Sequence, residues 1–189
     1  MRFHSFKTFE TLVSVAAIKL SLAAACGAQT LPEPNGAYPV GRITYHLVDA
    51  ARNDDQGSHK DHKREFMVDV WYPAQSGTEG KPAPWLLADW ARWEEKGHVG
   101  IRLRRSSDPS AKDISRFMAS VVVHAREEIP LAASPQRFPV LLFSSGSLMF
   151  PSAYSSLVED LASHGFVIIG NATGYVHAVS FPEGNVTPS

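Results

Sequence analysis

The sequence predicts an α/β fold in which an antiparallel strand pair precedes a βαβ unit. Two observations carry this. Residues 65–72 (EFMVDVWY) alternate strictly, with Phe66, Val68, Val70 and Tyr72 on one side and Met67, Asp69 and Trp71 on the other, which is the period of a strand. Further on, FPVLLF at 138–143 and FVII at 166–169 are short, continuously apolar runs flanking a stretch of helical spacing. Such runs fit parallel strands covered on both faces.

The elements follow in order. Residues 29–40 (QTLPEPNGAYPV) carry three prolines and a glycine, so they read as an extended arm ordered by contact. Residues 41–48 (GRITYHLV) are rich in β-formers, and 49–63 form a charged loop. The two strands around that loop are expected to pair antiparallel, and Pro73 ends the second. A linker over 74–84 leads to a predicted helix over 85–96, with Leu86, Trp90 and Trp93 on one stripe and Gly97 as its stop. A second helix is predicted from a cap at Asp113 to about Ala125. After FPVLLF comes a loop at 144–151. A helix over 152–164 then presents Tyr154, Leu157, Val158 and Leu161 as its apolar stripe, with Gly165 as its stop. Its crossover to FVII is expected to be right-handed.

At 189 residues the chain can hold one domain with a sizeable core. Hydrophobic residues make up 44%, charged residues 20%, and the net charge is −1. This balance gives no electrostatic reason to expect nucleic acid as a partner. Residues 1–28 differ from the rest: Arg2 and Lys7 precede an apolar run that ends in small residues. They read as a signal-like leader cleaved after Ala25 or Ala28, which implies a secreted, cell-surface or periplasmic protein. Glu10 and Lys19 interrupt the pattern, and the competing reading is an amphipathic helix. Residues 29–189 then form the folded portion. Cys26 is the only cysteine, so no intramolecular disulfide can form. Lipidation of Cys26 would call for a bulky aliphatic residue three places earlier, where Ala23 stands.

Ligands in open α/β sheets sit outside the carboxyl ends of parallel strands. That directs attention to Ser144-Ser145-Gly146-Ser147-Leu148, the loop leaving FPVLLF. Gly146 lets the backbone turn and approach a substrate oxygen, although a plain βα turn has the same composition. Three other constellations compete. His59, Asp61 and His62 have metal-ligand chemistry but lie in a charged loop, so no metal is expected. Ser145 or Ser147 with His164 or His177 could suggest a nucleophile and base. However, His164 ends the helix that starts after the loop and belongs at the far edge of the sheet. Trp85, Trp90 and Trp93 could meet a membrane surface, with Arg102, Arg104 and Arg105 against anionic headgroups. At helical spacing the tryptophans suit a core equally well.

Residues 36–48, 64–74 (REFMVDVWYPA), 124–131 (HAREEIPL) and 138–170, with FPEG at 181–184, resemble the N-terminal half of the platelet-activating-factor acetylhydrolase and dienelactone-hydrolase-like esterases. The resemblance implies an α/β-hydrolase sheet, no cofactor, and ester or phospholipid-like substrates cleaved by a Ser-His-Asp triad. It also places an oxyanion-hole donor on the backbone N–H of Ser147, with Gly146 in the oxyanion loop. The family's loop commonly carries a second glycine where this chain has Leu148, and the usual His after the FVII strand is absent from 171–175 (NATGY). The 189 residues contain no Gly-x-Ser-x-Gly. The chain is therefore expected to lack the nucleophile and triad and to correspond to a truncated esterase that is inactive alone and prone to self-association, with the apolar strand at 166–169 as its open edge. The alternatives are a secreted binding module or a non-functional fragment of that fold.

Overall fold

The computed structural model describes residues 29–54, 63–85, 119–146, 149–173, 179–182 and 186–187. Strands β1 (Val40–Asn53) and β2 (Lys63–Pro73) form the longest antiparallel pair, in register from Val40 opposite Pro73 to Asp49 opposite Arg64. β1 runs further than its β-rich core because the polar stretch after Val48 continues the ladder, with a register shift between Asp49 and Asn53. β2 ends at Pro73, whose ring removes the donor that a further rung would need.

Two short strands, β3 (Lys81–Pro82) and β4 (Arg126–Glu127), continue the sheet beyond β1. On the other side lie β6 (Val167–Thr173), antiparallel to β2, and β5 (Val140–Phe143), parallel to β6. The six-stranded order is β3-β4-β1-β2-β6-β5. Strands β7 (Val179–Ser180) and β8 (Val186–Thr187) form a separate hairpin. Between β5 and β6, a 3-10 turn at Pro151–Tyr154 leads into helix α1 (Ser155–Ser163). The expected antiparallel pair and parallel βαβ unit are both present.

α1 ends in a Schellman arrangement. Phe166 N–H donates to Leu161 O at 3.3 Å, Gly165 N–H donates to Ala162 O at 3.0 Å, and Gly165 has φ +94°. Its buried residues, however, are Ser155, Val158, Glu159, Ala162 and Ser163, while Leu157 is 51% exposed. The buried face is thus rotated from the expected leucine stripe. Small side chains let the helix end come close to the chain beside it. At Gly36, a Cβ would meet the backbone of Ser163 at 2.2 Å.

The helix predicted to reach Ala125 ends earlier. Among the described residues of that stretch only Ala119 and Ser120 are helical, and Val122 bridges Thr30 in parallel. The 29–40 arm is extended, as expected, and fastened by contact: Leu31 N–H donates to Val122 O at 3.0 Å and Tyr38 N–H to Ser163 O at 3.0 Å. The main core joins Trp71, Val158, Ala162, Ile168, Val123 and Ala125 under α1. A smaller cluster of Ala172, Val179 and Phe181 packs with Met67.

The open edge is not where the apolar runs suggest. β6 is flanked by β2 and β5, whereas among the described residues β5 terminates the sheet, with Val140 56% and Leu142 84% exposed. Reading FPVLLF as covered on both faces is therefore corrected. The predicted helix over 85–96 lies outside the described residues beyond Trp85, as do Gly97, Asp113, the arginines at 102, 104 and 105, and the 1–28 leader.

Candidate functional site

The loop after β5 leaves the sheet at the carboxyl ends of the parallel pair, where α/β sheets receive ligands. Ser144 and Gly146 are exposed. Ser145 Oγ donates to Met149 O at 2.6 Å, and Met149 N–H donates to Gly146 O at 3.0 Å. These bonds join Ser145 and Gly146 to Met149; Ser147 and Leu148 lie outside the described residues. The Ser145 hydroxyl is thus engaged in bracing the loop.

Gly146 has no positive φ, and among the described residues a Cβ there would meet only Tyr154 Oη, at an ordinary 3.6 Å. The φ of Gly146 thus does not itself require glycine. What glycine contributes is a bare surface facing solvent. Tyr154 was not singled out from the sequence as a neighbour of this loop. Its ring packs edge-on against Phe143 with centroids 5.2 Å apart, so the last residue of β5 and the 3-10 turn set the phenol beside Gly146. The only sequence signal was its place three residues after Pro151, on the first turn behind the loop.

His164 sits at the opposite end. It caps α1, its Nδ1 lies 2.8 Å from Asp160 O, and the chain passes from it through Gly165 into the amino end of β6. Because β5 and β6 are parallel, this end is remote from the 144–149 loop. His177, His59, Asp61 and His62 lie outside the described residues. Among the described residues no group of three or more His, Cys, Asp or Glu side chains could hold a metal ion, and no helix is long and apolar enough to cross a membrane.

Another cluster of buried polar groups lies elsewhere in the sheet. Arg42, 2% exposed, donates to Asp69 Oδ1 at 2.9 Å and to Pro84 O at 2.6 Å. Thr44 Oγ1 donates to the same carboxylate oxygen at 2.6 Å, and the guanidinium lies 5.3 Å from the Trp71 ring centroid, within cation–π range. An open cleft of about 530 Å³ borders this region, lined by Arg42, Tyr72, Glu127 and Glu128 among others. Burial, then the neighbouring Tyr45, push the Tyr72 phenol up, and its hydroxyl donates to Ile129 O at 2.7 Å. The cleft is bordered by β1, β2 and β4, and β6 separates it from β5. It is therefore distinct from the 144–149 loop.

Residues 23–172 match the family described as platelet-activating factor acetylhydrolase, isoform II. The chain is similar to the platelet-activating factor acetylhydrolase of Cavia porcellus, with 28% identity over 142 residues. That stretch takes in 75% of this chain and 28% of the relative. Its structure resembles a ferulic acid esterase from Streptomyces cinnamoneus with a TM-score of 0.64 and 27% identity, covering 85% of this chain and 41% of the esterase. The chain thus spans less than half the length of either, and its fold is that of a partial α/β-hydrolase. Because the family match runs from residue 23 through β1, β2, β5, the 144–149 loop, α1 and into β6, the chain belongs to the platelet-activating factor acetylhydrolase, isoform II, family.

Proposed function

We propose that this chain supplies the oxyanion-loop side of a serine carboxylic ester hydrolase acting on 2-acetyl glycerophospholipids in lipid catabolism. The observation carrying this reading is the family match over 23–172, which takes in a loop at the carboxyl end of parallel β5. In the complete site a serine attacks the acyl carbon, and the oxyanion leans on the N–H of Ser147 and on that of the residue after the nucleophile. Each such donor is worth on the order of 3 kcal/mol in the transition state. No Gly-x-Ser-x-Gly occurs within the 189 residues, so the nucleophile and triad come from outside them and the chain alone is inactive. Residues 1–28 act as an export leader, residues 29–189 form the hydrolase portion, and the bare β5 edge favours self-association.

The test has two arms. The 189-residue chain, assayed with p-nitrophenyl acetate and a short-chain 2-acetyl phospholipid, is expected to show no serine-dependent turnover. Activity abolished by Ser147→Ala would overturn the reading. Joined to the remaining portion of a family member that carries the elbow, the chain is expected to complete an active esterase. There Ser147→Pro, which removes the N–H, lowers kcat by about 100-fold, whereas Ser147→Ala leaves it unchanged. An inactive but folded chimera would sink the proposal.

A further inference from the structure

The inner face of α1 carries an acid among small and apolar side chains. Glu159 is 1% exposed. Its Oε2 accepts the N–H of His124 at 3.0 Å, and among the described residues its buried Oε1 has no hydrogen-bond partner. The ring of His124 reaches onward, with Nε2 2.8 Å from Leu31 O. A carbonyl only accepts, so Nε2 carries the proton. Leu31 N–H donates to Val122 O at 3.0 Å, and Val122 N–H to Gln29 O at 2.8 Å. One carboxyl thereby ties α1 to the 121–125 segment and, through an imidazole and a bridge, to the start of the 29–40 arm.

The later part of that arm is held differently. Gly36 N–H donates to Ser163 Oγ at 3.0 Å and Tyr38 N–H to Ser163 O at 3.0 Å. Neither bond involves Glu159. The arm is therefore fastened by two separate attachments: one rests on the buried Glu159, the other on Ser163 and on the partly exposed Asp160, whose Oδ1 accepts the N–H of Asn35 at 3.1 Å.

A buried carboxylate with one bare oxygen is costly, because charge removed from water must be recovered by pairing. The cation facing Glu159 from β1 is Arg42, already committed to Asp69 of β2 and to Pro84 O. From the 121–125 segment comes His124, which donates to Leu31 O whether its ring is neutral with Nε2–H or charged. On α1 itself, Asp160 and His164 are partly or fully exposed. Burial pushes the Glu159 carboxyl above its ordinary range. This outweighs the backbone bonds from His124 and Ala125 and the attraction of His124 and Arg42.

We propose that Glu159 is a proton-dependent clasp: uncharged, it fastens residues 121–125 and 29–31 to α1, and on ionising it releases them while residues 35–38 stay bound. The folded chain keeps a proton that the unfolded chain gives up near the ordinary glutamate value of 4.5. The contribution of the clasp to stability is complete below that pH and is lost as pH rises through the higher folded-state value.

Amide hydrogen exchange of the full chain, corrected for intrinsic rates and compared between pH 5 and pH 8, tests this. In the wild type, protection of Leu31, Val122 and His124 is expected to fall several-fold. Tyr38 is expected to change by less than about twofold on the same scale. In Glu159→Gln, the first three amides lose their pH dependence. Equal loss at Tyr38, or the same dependence in the Gln variant, would overturn the proposal. Should the variant fail to fold, the carboxyl ¹³C titration of Glu159 in the wild type decides: a midpoint at or below 4.5 refutes the clasp, and one above it supports it.

Discussion

The apolar runs of β5 (VLLF) and β6 (VII) lie side by side, yet Ile168 in β6 is 1% exposed while its register partner Leu141 in β5 is 36% exposed, and Leu142 on the other face is 84% exposed. The difference lies in neighbours rather than in composition. β6 has β2 on one side and β5 on the other, with α1 above, whereas among the described residues β5 has a ladder partner on one side only. The contrast sharpens against β1, where Arg42 is 2% exposed because Asp69, Thr44 and Pro84 surround it with acceptors and packing. In this molecule a guanidinium is better buried than a leucine. Apolarity states what a strand can tolerate. Sheet position decides what it receives.

The comparison predicts unequal responses to substitution. The largest belongs to the closed side: Trp71→Ala removes a side chain with no exposure and is expected to cost about 3–5 kcal/mol in urea denaturation. A loss below about 1 kcal/mol would mean that the core does not centre on β2 and α1. Next, Asp69→Ala leaves Arg42 buried with its carboxylate gone, an expected cost of about 3 kcal/mol. Replacing Arg42 by Met in the same chain should recover part of it, and a double variant less stable than the single one would contradict this account of the pair. The smallest change in stability is expected at the open edge. Leu142→Lys should alter unfolding free energy by no more than about 0.5 kcal/mol. It should nevertheless shift the chain toward monomer in sizing chromatography, because a charge blocks edge-to-edge pairing. A cost above about 2 kcal/mol would show that Leu142 is covered and that the contrast between β5 and β6 is smaller than the exposures indicate.

Several elements were legible in the residues themselves. The alternation of 65–72 predicted β2 and its pairing with β1, and the apolar run, helical spacing, glycine and second apolar run predicted the parallel βαβ unit. Local chemistry was enough there: Pro73 removes a donor and Gly165 takes a positive φ, wherever the rest of the chain lies. The face of α1 was not legible. Leu157 suited the apolar stripe, but Ser155, Glu159 and Ser163 are buried instead, because small side chains permit close packing and His124 supplies Glu159 with a donor from 35 residues away. Residues 121–125 likewise abandon the expected helix, since the arm at 29–31 and the carboxyl of Glu159 offer their backbone groups other partners.

The candidate site divides the same way. From the sequence alone came the loop at 144–148, its place after a parallel strand, the absence of a nucleophile elbow and the likeness to an esterase family. Those properties reside in residue order and in motifs, which need no partner to be read. Only the tertiary structure decided that Ser145 braces the loop through Met149 O, that Gly146 is not demanded by its own backbone angles, and that Tyr154 stands beside it. It also decided that β5, not β6, is the open edge of the described sheet, and that Glu159 rather than Leu157 faces the core from α1. Each of these depends on contacts between segments distant in the chain, and the free energy of such contacts belongs to the pair and not to either residue alone.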